Sequence, residues 1–137
     1  GAWQQVQYSA NPLLSHTMLF ENGTLKAVLN SSRPDTQKAL KPFVSARITR
    51  AVLLAKSQKD PIKYADEVTN TLVPDVLTYK VGTAAKYAVN ERNGRSLDDD
   101  AMSTVLSMIL GTPTDQKISN PKLHTAAFPY LIPTTVD

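Results

Sequence analysis

The stretch Asn93-Gly94-Arg95-Ser96-Leu97-Asp98-Asp99-Asp100 is the densest charge cluster of the chain and runs directly into the apolar segment Ala101–Leu110. It constrains the fold more than any other stretch, because start, body and stop signals of one helix agree around it. Asn93-Gly94 reads as a turn, since both residues tolerate positive φ. Ser96 reads as an N-cap whose hydroxyl accepts a free backbone N–H. Asp99 stands three residues later, where a capping box places an acidic side chain. Asp98, Asp99 and Asp100 then fall in the first turn, where the helix dipole favours negative charge. Met102, Val105, Leu106 and Ile109 recur at helical spacing. Gly111 is the natural residue after the helix, and Pro113 follows it.

The same acidic residues invite two further readings. Asp98, Asp99 and Asp100 with Asp115 are candidate ligands for a divalent cation, which takes several hard oxygen donors. The spacing does not match an EF-hand loop, and successive helical residues point about 100° apart. Arg95 is a candidate partner for one of these aspartates, because a planar guanidinium matches a carboxylate. Capping or Arg–Asp pairing is the preferred reading, with the cation site as the alternative.

A chain of 137 residues suits a single helical domain. Gly1-Ala2-Trp3 does not resemble a native start, so the chain reads as a trimmed or mature fragment of a longer protein. No run is long enough to span a bilayer. With no cysteine, disulfides, thiolate metal sites and a cysteine nucleophile are excluded. The charge is uneven: residues 26–63 carry nine basic and two acidic residues, a net +7 against −4 for the remainder. Phe43 is the only aromatic in that basic span, so the stacking expected of a single-strand binder is missing. The basic residues read as a solvated helix face, with no clear sign of a nucleic-acid partner.

Taken in order, residues 3–8 read as an extended N-terminal segment. Asn11-Pro12 is a turn or helix entry, with Pro12 at a first helical position, before Leu13, Leu14, Met18 and Leu19. Glu21-Asn22-Gly23-Thr24 reads as a turn and Leu25, Val28 and Leu29 as a short apolar patch. Asn22-Gly23-Thr24 and Asn30-Ser31-Ser32 match the glycosylation sequon, a triplet that chance often produces. A helix capped by Asp35 runs toward Lys56, interrupted or restarted at Pro42, with Val44, Ile48, Ala51, Val52 and Ala55 as its apolar stripe. Pro61 begins the next helix, with Ile62, Ala65, Val68 and Leu72 on one face. Pro74-Asp75 breaks it, and Val76-Leu77 is expected to continue it for about one more turn. Tyr87-Ala88-Val89 reads as extended. Two prolines hold the apolar C-terminal tail out of a helix, and Phe128, Tyr130 and Leu131 are expected to bury against the bundle. The fold class is therefore mainly α: a small bundle of about four to five short helices with an extended N-terminal segment and an extended, proline-containing C-terminal tail.

Catalytic chemistry finds little support. His16 and His124 are the only histidines. Ser15, His16 and an aspartate could be arranged as a triad, but no nucleophile-elbow motif accompanies them. Two histidines fall short of a zinc ligand set. No glycine-rich phosphate loop exists, and Asp66, Glu67 and Asp75 are weak candidates for paired carboxylates. No cofactor is implied.

Four short motifs occur in sequence order: Ala10-Asn11-Pro12-Leu13-Leu14, Pro74-Asp75-Val76-Leu77-Thr78-Tyr79, the stretch from Asn93 to Asp100, and Phe128-Pro129-Tyr130-Leu131. Together they resemble the C-terminal part of a bacterial family of exported proteins, domain of unknown function 4331. Three positions depart from its pattern: Ser15-His16 stands where the family often has Asn-Glu, and Ala101 where it often has Val. The resemblance implies an exported protein, periplasmic or extracellular, and implies no reaction. The expectation is a non-enzymatic accessory or interaction domain. Its motif residues Asn11, Pro12, Pro74, Asp75, Asn93, Gly94, Arg95, Ser96, Asp99, Phe128 and Tyr130 act structurally in this reading. Its first partner is the upstream domain of the same polypeptide, and a homo-oligomer is compatible with it. A ligand- or cation-binding domain centred on Arg95, Asp98, Asp99, Asp100 and Asp115 is the alternative, and a hydrolase a distant third.

Overall fold

The computed structural model describes residues 1–12, 14–19, 21–117, 124, 125, 127, 128 and 130. The element order is α1 (Leu14–Leu19), α2 (Gly23–Ser31), α3 (Pro34–Gln37), a 3-10 turn (Lys38–Leu40), α4 (Lys41–Ala55), α5 (Pro61–Leu72), β1 (Lys86–Ala88), β2 (Glu91–Asn93) and α6 (Ala101–Leu110). The fold is mainly α, with one small antiparallel hairpin that pairs Lys86 with Asn93 and Ala88 with Glu91. Among the described residues, no helix is long and apolar enough to cross a membrane.

The central helix is α4. It packs along α5 and also meets α1 and α6. Leu40, Val44, Ile48 and Val52 recur every four residues and are all buried. That spacing puts them on one side of the helix, where each contributes about 1.5–3 kcal/mol of apolar burial. Pro42 marks a restart, as expected, since α4 begins at Lys41. It occupies the first turn, where its missing N–H has no intrahelical acceptor to lose. Ala55, expected on the stripe, is exposed. On α5, Asp60 caps the Lys63 N–H at 3.1 Å and Pro61 opens the helix as expected. Ala65, Val68 and Leu72 are buried, whereas Ile62, one turn from the N-terminus, lies beyond the packed face and is exposed.

Several expectations need correction. Asn22 is not part of a free turn: its side-chain oxygen accepts the Leu25 N–H at 3.0 Å and caps α2, which takes in Gly23, Thr24 and the apolar patch. Asp35 is not a cap. It lies inside α3, which Pro34 opens behind Arg33 with no side-chain cap. Val76 and Leu77 do not extend α5. The Val73–Pro74 peptide is cis, and the chain beyond it is not helical. Phe128 is 84% exposed and Tyr130 is also exposed; the two rings meet edge-on and do not bury against the bundle. Leu131 and the rest of the tail lie outside the described residues.

The stripe on α6 is turned relative to the expected one. Ala101, Val105, Met108 and Ile109 are buried, while Met102 and Leu106 are half-buried. This helix is apolar on more than one side, so periodicity alone leaves the choice of buried face open. Gly111 ends it at φ +66°, the left-handed conformation expected of the residue after a helix. Ser57 Oγ donates to the Leu110 carbonyl at 2.6 Å, and Gln58 Nε2 to that of Gly111 at 2.6 Å. The loop after α4 thus satisfies carbonyls that a helix end leaves free.

Candidate functional site

Two places gather polar or exposed apolar side chains: a buried hydrogen-bond network and a surface groove.

The network joins the sequence motifs. The Asn11 N–H donates to Asp75 Oδ1 at 2.7 Å, and Asn11 Nδ2 donates to the same oxygen at 3.0 Å and to the Leu72 carbonyl at 3.2 Å. Tyr87 Oη donates to Asn11 Oδ1 at 2.8 Å. The Asp75 N–H donates to Gln37 Oε1 at 2.8 Å, and Gln37 Nε2 to the Leu29 carbonyl at 3.1 Å. Asn11, Gln37, Asp75 and Tyr87 are all buried. The N-terminal segment, α2, α3, the end of α5 and β1 are therefore tied at one point. Asn11 is not simply a turn residue, and Pro12 precedes α1 rather than opening it.

Burial governs the titration of this network. It raises the Asp75 carboxyl above the usual carboxylate range, against the lowering effect of the Asn11 hydrogen bonds and the more distant Arg95 charge. It pushes the Tyr87 phenol up to about 12. Among the described residues, Asp75 Oδ2 is buried with no hydrogen-bond partner. A shifted carboxyl is a mark of many active sites. Here Asp75 is 1% exposed and lines none of the surface depressions described. Its visible work is to staple these elements together.

The acidic stretch continues the staple outward. Asp99 Oδ2 accepts the Tyr87 N–H at 3.0 Å and the Ser96 N–H at 2.6 Å. Asp100, not Ser96, caps α6: its Oδ1 accepts the Ser103 N–H at 3.0 Å. Ser96 Oγ instead accepts the Asp98 N–H at 3.3 Å, closing a small turn ahead of the helix. The expected capping box is half formed, since the Asp99-to-Ser96 contact exists but no helix starts there. Asp98, Asp99 and Asp100 accordingly precede the first turn rather than occupying it. Asparagine and aspartate cap as well as serine, so four neighbouring cap-type residues left the choice open.

Arg95 pairs with no aspartate among the described residues, and it is exposed. Asp98 lies 3.5 Å from His124 Nε2, and Asp115 is paired with Lys117 at 2.9 Å. The four candidate cation ligands therefore serve separate local contacts. Among the described residues, no three His, Cys, Asp or Glu side chains group around a common point. Asn93 ends β2 rather than forming a turn. Its Nδ2 donates to Thr83 Oγ1 and the Ala84 carbonyl, and its Oδ1 accepts the Lys80 N–H at 2.7 Å. Gly94 takes φ +73°, and a Cβ there would lie 2.9 Å from the Tyr79 ring. Ser15 Oγ is 3.4 Å from His16 Nδ1, but no carboxylate pairs with His16 among the described residues, so no triad forms.

The groove lies on residues that the sequence did not single out for it. Two abutting depressions, of 590 and 480 Å3, share Met18, Glu21, Arg47 and Arg50. The first extends to Leu25 and Phe43, the second to Leu54, Leu106, Ile109 and Leu110. On α4 the stripe Phe43, Arg47, Arg50, Leu54 follows spacings of four, three and four, which is one face of a helix beside the core stripe. The second apolar side of α6 forms the opposite wall. Glu21 bonds Arg47, and this contact holds its carboxyl below the usual range. The signal in the sequence was the apolar excess of α4 and α6 beyond what one buried face requires.

No family model matches the chain, and neither the curated proteins nor the solved structures contain a significant match to it.

Proposed function

We propose that this chain is a non-enzymatic interaction domain of an exported bacterial protein, docking through the groove between α1, α4 and α6. The groove itself carries the reading: Phe43 and Leu54 of α4 remain exposed on either side of Arg47 and Arg50, with half-buried Leu106 and Leu110 of α6 beside Leu54. Phe43 and Leu54 are exposed there, and Leu54 is 75% accessible. Exposed apolar side chains grouped with arginine are characteristic of docking sites. The export assignment and the choice of the upstream part of the same polypeptide as first partner rest on the order of the four motifs.

Hydroxyl-radical footprinting tests the reading. Phe43 and Leu54 should be oxidised readily in the 137-residue chain and at least about three-fold more slowly in the full-length polypeptide, because docking removes their solvent contact. Equal labelling in both, at concentrations where the chain is monomeric, would remove the upstream region as partner.

A further inference from the structure

Resting on that reading, we infer that the occupant of the groove is an acidic amphipathic helix of about three turns. The length follows from α4. Phe43 and Leu54 are eleven residues apart on one face, and at 1.5 Å per residue the groove runs about 17 Å. A helix laid in a groove reads it through anchors at i, i+4 and i+7, and three turns supply that set.

The charge follows from the middle of the groove. Two arginines and one glutamate line the part that both depressions share. The Glu21 carboxylate is held by Arg47. Arg50 feels Glu21 at longer range, but it makes no ion pair within 4 Å among the described residues. One guanidinium charge is thus left over between two apolar ends. A guanidinium takes a carboxylate in a two-pronged contact, and a partly desolvated setting strengthens it. The complementary segment carries apolar side chains at both ends and a carboxylate between them. A polyphosphate backbone would leave the apolar walls uncovered, and a basic helix would place like charges against Arg50.

The experiment uses probe peptides of about 14 residues, three turns plus fraying ends. Both have leucine at i, i+7 and i+8; one carries glutamate at i+3 and i+4, the other lysine. Binding is followed by fluorescence polarisation at low salt, with dodecanoate as a competitor. The glutamate peptide should bind about ten-fold more tightly than the lysine peptide, and raised salt should shrink the gap. Arg50→Glu should reverse the preference, Arg50→Lys should keep most of it, and Leu54→Asp should weaken both peptides. Far-UV circular dichroism of each variant checks that the surface substitutions leave the fold intact. Equal binding of the two peptides, lost in Leu54→Asp, would overturn the acidic partner while leaving the docking domain standing. Failure of both peptides to bind would overturn both. Displacement of the peptide by dodecanoate at comparable affinity would assign the groove to a small amphiphile and overturn the helix.

Discussion

At the scale of single residues, Asp75 is the most consequential side chain. Its Oδ1 accepts both Asn11 donors, while its Oδ2 is buried without a partner among the described residues. Burial raises its pKa in the folded state above the unfolded value of about 4. The folded protein therefore keeps this proton over a range in which the unfolded chain has lost it. Stability from this group is fully present below the unfolded value and is lost as pH rises through the folded one. Asp75→Asn retains an acceptor for Asn11 and removes the charge. Its thermal midpoint relative to the parent should therefore climb as pH rises above about 4 and through the raised folded value. A gap that narrows over that range would refute the assignment. Asp75→Ala leaves two Asn11 donors without their acceptor and should cost about 1–3 kcal/mol at either pH.

At the scale of elements, the start of α6 separates two readings of one stretch. Asp100 accepts the Ser103 N–H, whereas Ser96 closes a turn four residues upstream. Asp100→Ala should cost about 1 kcal/mol, the usual loss for an N-cap, and Ser96→Ala less than about 0.5 kcal/mol. Urea denaturation of the two variants measures both; equal losses would mean that the turn and the cap act as one unit. The hairpin teaches a related lesson. The network role of Tyr87 and Gln37 was not legible in the sequence, because nothing local distinguishes a polar residue bound for a network from one bound for solvent. Their partners lie 76 and 38 residues away.

At the scale of the whole molecule, α4 has two faces with different duties. Its core face meets α5 and also helps hold α1 and α6. Ile48→Ala removes a fully buried side chain and should cost about 2–5 kcal/mol, whereas Leu54→Ala, on the groove face, should stay within about 0.5 kcal/mol. Thermal melts of the two variants test this division. A Leu54 variant as destabilised as the Ile48 variant would place the groove inside the folded core and end its candidacy as a docking surface.

The mainly α class, the proline at the start of α5, the glycine after α6 and the core stripe of α4 were legible in the sequence. Each depends on the spacing or the backbone preferences of residues a few positions apart. Which aspartate caps α6, which side of α6 is buried, and how Asn11, Gln37, Asp75 and Tyr87 come together were decided only by tertiary structure. So was the groove. These features depend on which distant segment lies opposite, and a helix with apolar residues on two sides holds no local instruction for choosing between them.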